Sequence, residues 1–155
     1  MTTAMNRAPA LIRRSGGLTN RLLNAGLPLG PNAQLTIRGR TSGKPRTTPI
    51  AVIETNQRRF VIGAYGDVQW TKNLRAAGEA EIRHGGTSER VAARELPAEE
   101  AEAWFATMLG PYVRRSIGLR VFASVFFRLV APDVLTDPAS AARHRPVFEL
   151  TAETR

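Results

Sequence analysis

Between Thr36 and Ile50 the chain reads TIRGRTSGKPRTTPI, the densest set of anion-binding groups in the sequence. Arg38, Arg40, Lys44 and Arg46 supply charge, and Thr41, Ser42, Thr47 and Thr48 supply hydroxyls. Gly39 and Gly43 let backbone N–H groups approach a ligand closely. The spacing is not that of a Walker loop, which needs Ser or Thr after the lysine, where Pro45 stands here. Its flanks read strand and strand, not strand and helix, so it is not the Gly-rich dinucleotide turn either. What the residues describe is a cradle for phosphate or carboxylate between two strands, with a solvated basic hairpin as the alternative.

Other chemistries are excluded by composition. The 155 residues contain no cysteine, which removes disulfides, thiolate nucleophiles and sulfur-ligated metals, and only two histidines, His84 and His144. No Ser/His/Asp arrangement is suggested. The formal net charge is +9, and it is one-sided. Residues 1–75 hold 12 Lys+Arg against Glu54 and Asp67, whereas residues 76–155 hold 10 Lys+Arg against 11 acids. The first half therefore needs an anionic partner. Nucleic acid fits poorly, because the basic segment lacks interleaved aromatics and no helix–turn–helix pattern appears. No secretory signal is visible, and the most apolar run, Leu119–Ala131, is interrupted by Arg120 and Arg128, so a cytoplasmic protein is expected.

The elements that must position the cradle read as a mainly β, α+β chain. Residues 1–30 form an arm whose Leu11, Ile12, Leu18, Leu22 and Leu23 recur at helical spacing among arginines. The arm reads either as a short helix packed on the domain or as a basic amphipathic segment lying on anionic lipid. A single domain follows over 31–155. Leu35–Arg38, Thr47–Ile53 and Phe60–Ala64 are strands of an antiparallel meander, with a polar turn expected at Asn56-Gln57-Arg58-Arg59. Trp70–Ala77 is a short helix. Ala80–His84 and Glu89–Leu96 form a hairpin across Gly85-Gly86. Pro97 opens a helix to about Leu109, Gly110-Pro111 breaks it, and a second helical region runs from Tyr112 to Val130. That region has an apolar face too broad for a fully exposed surface helix and is expected to cover an open side of the strand layer. Residues 132–145 read as irregular, and Pro146–Leu150 as a last strand.

Gly39-Arg40-x-Ser42-Gly43-Lys44-Pro45-Arg46-x-x-Pro49, followed by Trp70-x-x-Asn73-Leu74, resembles the deazaflavin (F420)-dependent nitroreductase family of actinobacteria. The resemblance covers roughly residues 35–112. It implies a split β-barrel of about six antiparallel strands with two or three flanking helices. It also implies coenzyme F420, a polyanion with a phosphodiester and an oligoglutamate tail, which suits the one-sided charge; FMN is the alternative cofactor. By the same resemblance, Arg40, Ser42, Gly43, Lys44 and Arg46 hold the phosphate and tail, and Thr47, Thr48 and Pro49 line the path toward the ring. The segment 63–70, including Gly63 and Ala64, runs along the deazaflavin, and Trp70, Asn73 and Leu74 close the pocket. Tyr112 and Tyr65 are the proton-donor candidates. The chain departs from the family in a shorter loop before Trp70, without its lysine, and in a single tyrosine where several stand.

The implied activity is hydride transfer from reduced F420 to a bulky apolar acceptor: a quinone, enone or nitro compound. The alternatives are a non-catalytic deazaflavin- or lipid-binding protein and an FMN-binding relative. Expected partners are the small-molecule acceptor, a second copy of the chain in a homodimer, and a membrane surface touched by the N-terminal arm; no metal and no nucleic acid are expected.

Overall fold

A computed structural model describes residues 33–114 and 117–154. The expectations for the N-terminal arm fall outside these residues. Seven strands form one antiparallel sheet: β1 (Ala33–Arg38), β2 (Pro45–Ile50), β3 (Ile53–Thr55), β4 (Arg58–Ile62), β5 (Glu79–His84), β6 (Thr87–Glu95) and β7 (Val147–Ala152), in the order β2-β1-β5-β6-β7-β4-β3. β2 and β3 are the two edges, yet only Ala51 and Val52 separate them in the chain. Three peptide steps reach at most about 11 Å, so the sheet must curl until its edges approach each other. That makes it a split half-barrel, as the motifs imply. The edges are protected as edge strands usually are: β2 carries Pro45 and Pro49, and β3 is three residues long.

Alternation along the strands sorts the core into two layers. Val61 and Phe148 face inward with Leu35, Ile37, Ile82, Val91 and Leu150, and helix α1 (Gln69–Ala77) closes this layer with Leu74. Phe60, Ile62 and Val147 face the other way, against a layer of short helices. These are α2 (Ala98–Trp104), a π-helical turn (Phe105–Leu109), α3 (Gly110–Val113), α4 (Ile117–Val130), α5 (Asp133–Thr136) and α6 (Pro138–His144). Trp104 is the centre of this second layer, 5.4 Å from the Phe60 ring and 5.2 Å from Phe105 between centroids.

Four local expectations are corrected. Arg58 and Arg59 belong to β4, because the turn is completed by Asn56 and Gln57 alone, with φ of 51° and 61°. Gly110-Pro111 does not break the helix: the π-helical turn before it leads straight into α3, and proline is tolerated in a first turn. Residues 132–145 are not irregular. Asp137 caps α6 by accepting from the Ser140 N–H at 3.0 Å, with Pro138 as the first helical residue. Finally, α4 is not buried along the whole of its apolar breadth. Its Phe127, with Ala131 beyond its end, is buried beside Trp104 and Leu109, while Ile117 and Leu129 are 76% and 79% exposed.

The outer surface of β4, β6 and β7 is tied by charge. Glu149 accepts from Arg58 at 2.7 Å and from Arg94 at 3.0 Å. Hydrogen bonding from Arg58, opposed by desolvation and aided by Arg94, holds the Glu149 carboxyl down to about 2 from an ordinary 4.5. A carboxyl lowered in the folded state contributes stability that is fully present above its unfolded value. That contribution is lost as pH falls from about 4.5 toward 2. Glu149→Gln should therefore lower the melting temperature near neutrality and flatten its fall over that acid range; parallel melting curves for the two proteins would remove Glu149 from the acid transition.

Candidate functional site

The loop from Gly39 to Lys44 is built by its own backbone. Gly39 N–H donates to the Lys44 carbonyl at 2.9 Å, and Gly43 N–H donates to the Gly39 carbonyl at 2.9 Å. Ser42 Oγ accepts from the Lys44 N–H at 3.3 Å. A Cβ on Gly39 would stand 2.8 Å from that Ser42 Oγ, and Gly43 turns the chain at φ +68°. The two glycines are required by close approach and by a left-handed turn respectively. Ser42, Gly43, Lys44, Arg46 and Thr47 are all exposed, and Thr48 and Pro49 are half-buried at the end of β2. Thr47 is held by a 2.8 Å hydroxyl contact with Thr36 across the ladder.

Arg40 joins this loop to α1. Its backbone N–H and its Nη1 both donate to Asn73 Oδ1, at 3.2 and 2.7 Å, and its Nη2 donates to Gln69 Oε1 at 3.0 Å. The two motifs, 33 residues apart at this contact, are thus one unit. Asn73 is buried, so its amide is a fixed acceptor that sets where the loop stands. Trp70 is half-buried, its ring 6.3 Å from Phe148. Leu74, placed with the cofactor group on sequence, is fully buried in the inner layer and anchors α1 to it.

Residues 63–68 connect β4 to α1 and complete the neighbourhood. Gly63 N–H donates to the Pro146 carbonyl at 2.8 Å, and Gly66 N–H to the Gly63 carbonyl at 2.9 Å. At the far end, Asp67 accepts from Thr71 at 2.8 Å and from Arg75 at 3.1 Å, and Arg75 also donates to Glu95. Desolvation pushes the Asp67 carboxyl up, but hydrogen bonds from Arg75 and Thr71 outweigh it and hold the group below its ordinary value. Arg75 is pushed up, by Glu95 first and Asp67 second. Both groups stay ionised at neutral pH, with Arg75 shared between the two carboxylates. Tyr65 is half-buried, and desolvation raises its phenol above the usual value, which keeps the hydroxyl protonated. Tyr112 lies in α3, across the sheet from α1, and its side chain is not among those described.

The structure therefore brings together Arg40, Asn73, Gln69 and the basic loop, and the 63–68 connection leads into the helix that carries Asn73. Sequence reasoning missed Gln69, Asp67, Thr71, Asp133 and Arg145. Thr71 and Arg75 were visible as neighbours of Asp67 at spacings of four and eight residues, on an α1 that starts two residues after it. Among the described residues, no group of three His, Asp or Glu side chains could hold a metal, and no helix is long and apolar enough to cross a membrane.

Comparison with known proteins gives the family and the fold. The family profile of F420H(2)-dependent quinone reductase matches residues 6–118. A solved F420-H2 dependent reductase, FDR-A, from Mycobacterium smegmatis is 25% identical, with a TM-score of 0.51 over 81% of this chain and 100% of that one. A second structure, a domain-swapped dimer, is 24% identical, with a TM-score of 0.50 over 92% and 100%. A protein related to general stress protein 26, of the pyridoxinephosphate oxidase family, from Clostridium acetobutylicum shares the fold at 10% identity, with a TM-score of 0.52 over 90% and 84%. No curated protein sequence matches the chain.

Proposed function

We propose, given that this chain belongs to the F420H(2)-dependent quinone reductase family, that it passes hydride from the reduced deazaflavin to a bulky apolar acceptor of the quinone class. The observation that carries the reading is the Arg40–Asn73 contact, which makes the basic loop and the tryptophan helix a single binding wall. The donor set fits a polyanion. Arg40, Lys44 and Arg46 stand within one turn and strand start, with Arg38 beside them, and residues 33–53 contain no acid. A single phosphate does not need so many cations, which favours a coenzyme with several carboxylates over FMN.

In this reading Arg40, Ser42, Gly43, Lys44 and Arg46 hold the phosphodiester and glutamate tail, and Thr47, Thr48 and Pro49 guide the chain toward the ring. Gly63, Ala64 and Trp70 border the ring, with Asn73 setting the loop from behind. When bound, the reduced deazaflavin supplies the hydride; the protein supplies position, exclusion of water and a proton. Tyr65, half-buried on the 63–68 connection, is the first proton-donor candidate. Tyr112 is the second candidate.

Mixing the protein with F420H2 and menadione, and following the return of the oxidised deazaflavin's visible absorption, tests the activity directly. Binding without turnover would leave a carrier, and tighter binding of FMN than of F420 would move the chain to the flavin branch. Tyr65→Phe should lower kcat by roughly a hundredfold or more at unchanged coenzyme affinity, the scale of a lost general acid. An unchanged kcat in Tyr65→Phe, with a fall in Tyr112→Phe, would transfer the role to Tyr112. A homodimer is also proposed, on the precedent of the domain-swapped relative; gel filtration with light scattering checks it.

A further inference from the structure

Arg145 is only 5% exposed and carries a charge into the protein interior. Its Nε and Nη2 donate to Asp133 Oδ1 at 3.1 and 2.9 Å, and its Nη1 donates to the carbonyl of Ala64. Asp133 is the first residue of α5, and Arg145 closes α6, its N–H donating to the Ala141 carbonyl at 2.8 Å. The two short helices therefore form a hairpin whose ends bring one carboxylate against one guanidinium. A buried ion pair is a poor source of stability, because the desolvation of both partners offsets their attraction. Its observable product here is directional. The planar fork, fixed on one edge by Asp133, presents its remaining donor to one backbone oxygen, which a lysine held by the same carboxylate could not do with the same reach. That oxygen belongs to the segment 63–68, and the next residue, Pro146, accepts from the Gly63 N–H. The opposite end of the segment is tied by Asp67 to Thr71 and Arg75.

We infer that Arg145, fixed by Asp133, is a positioning residue for coenzyme binding: it holds the Ala64 carbonyl so that the 63–68 wall is formed before the ligand arrives. The inference rests on the proposed function for what the wall contacts, and on the geometry alone for the anchor. Preformation matters because ordering a loop upon binding would subtract from affinity.

The test compares wild type, Arg145→Lys and Asp133→Asn as intact proteins. Peptide-level amide exchange is measured without cofactor, and F420 affinity is measured by titration. Arg145→Lys keeps the charge and loses the fork. Exchange over residues 64–67 should rise about tenfold, the effect of losing one charge-assisted hydrogen bond, while β4 and β7 stay protected. F420 affinity should fall by a similar factor, with KM for menadione unchanged. Asp133→Asn, which retains an acceptor for the guanidinium, should lie between wild type and Arg145→Lys in both readouts. Unchanged exchange over 64–67, or faster exchange with unchanged F420 affinity, would overturn the inference. So would a rise spread equally over β4 and β7, which would make the pair a general stabiliser. Wild-type protein that binds no F420 would instead overturn the functional reading, leaving the exchange result to report the anchor by itself.

Discussion

Gly63→Ala is expected to lower stability by about 2–3 kcal/mol, the cost of overpacking a site that cannot relax. For a chain of this length that is a fall of about 4–12 °C in melting temperature. An added Cβ would stand 2.9 Å from the Gly66 carbonyl oxygen, 3.0 Å from Thr71 Cγ2 and 3.1 Å from Pro146 Cδ. None of these is the free end of a flexible side chain. The Gly66 oxygen accepts from Val68 N–H at 3.0 Å, Thr71 is fully buried, and Pro146 is held by the Gly63–Pro146 hydrogen bond itself. Gly118 is the control. It sits in α4 with nothing within 4 Å of its would-be Cβ, so Gly118→Ala should stabilise the helix by about 0.5–1 kcal/mol. Thermal melts of both variants check the pair, and a Gly63→Ala protein that melts with wild type would show that the 63–68 connection is pliable.

The second large effect concerns binding. Arg40→Ala removes the side-chain contacts to Asn73 and Gln69 as well as a cradle charge, so the loop is moored only by the backbone N–H bond to Asn73. F420 affinity should fall by roughly 1–3 kcal/mol, the range for hydrogen bonds to charged groups. Lys44 is exposed and contributes mainly as a point charge. Its removal should cost less, and the loss should shrink further between about 50 and 500 mM salt as screening shortens. The Arg40→Ala deficit should largely survive the added salt, because part of it is geometric. Equal salt dependence in the two variants would mean that the Asn73 contact does nothing for the ligand.

Much of the fold was legible where local rules decide. The alternation of Leu35 and Ile37 marked β1, Gly85-Gly86 marked the β5–β6 hairpin, and the cluster of glycines and cations at 39–46 marked the loop. Trp70-x-x-Asn73-Leu74 lies on the short helix expected there, although the Arg40–Asn73 bond itself was not foreseen. What escaped were features set by long-range contact. Arg145 and Ala64 lie 81 residues apart, and no periodicity in either segment announces the bond. Likewise α4 carries Ile117, Val121, Val125 and Leu129 on exposed positions, so its apolar breadth misled a reading in which apolar means buried. The α5–α6 hairpin is a different kind of miss: Asp137-Pro138-x-Ser140 is a helix-start signature that length alone disguised.

The position of β7 in the sheet has a consequence for how the protein is made. Among the described residues it is the last strand in chain order, yet it lies between β6 and β4 and pairs with both, Arg59 opposite Leu150 and Ala93 opposite the same residue. Until that segment leaves the ribosome, β2-β1-β5-β6 and β4-β3 are two sheets with open edges and no shared ladder. Neither can inherit a partner earlier, because the residues that join them are synthesised about ninety positions after β4. Closure of the half-barrel is then a late, high-contact-order event, slow relative to the local hairpins, and the nascent chain presents the bare edges of β4 and β6 to chaperones while it waits.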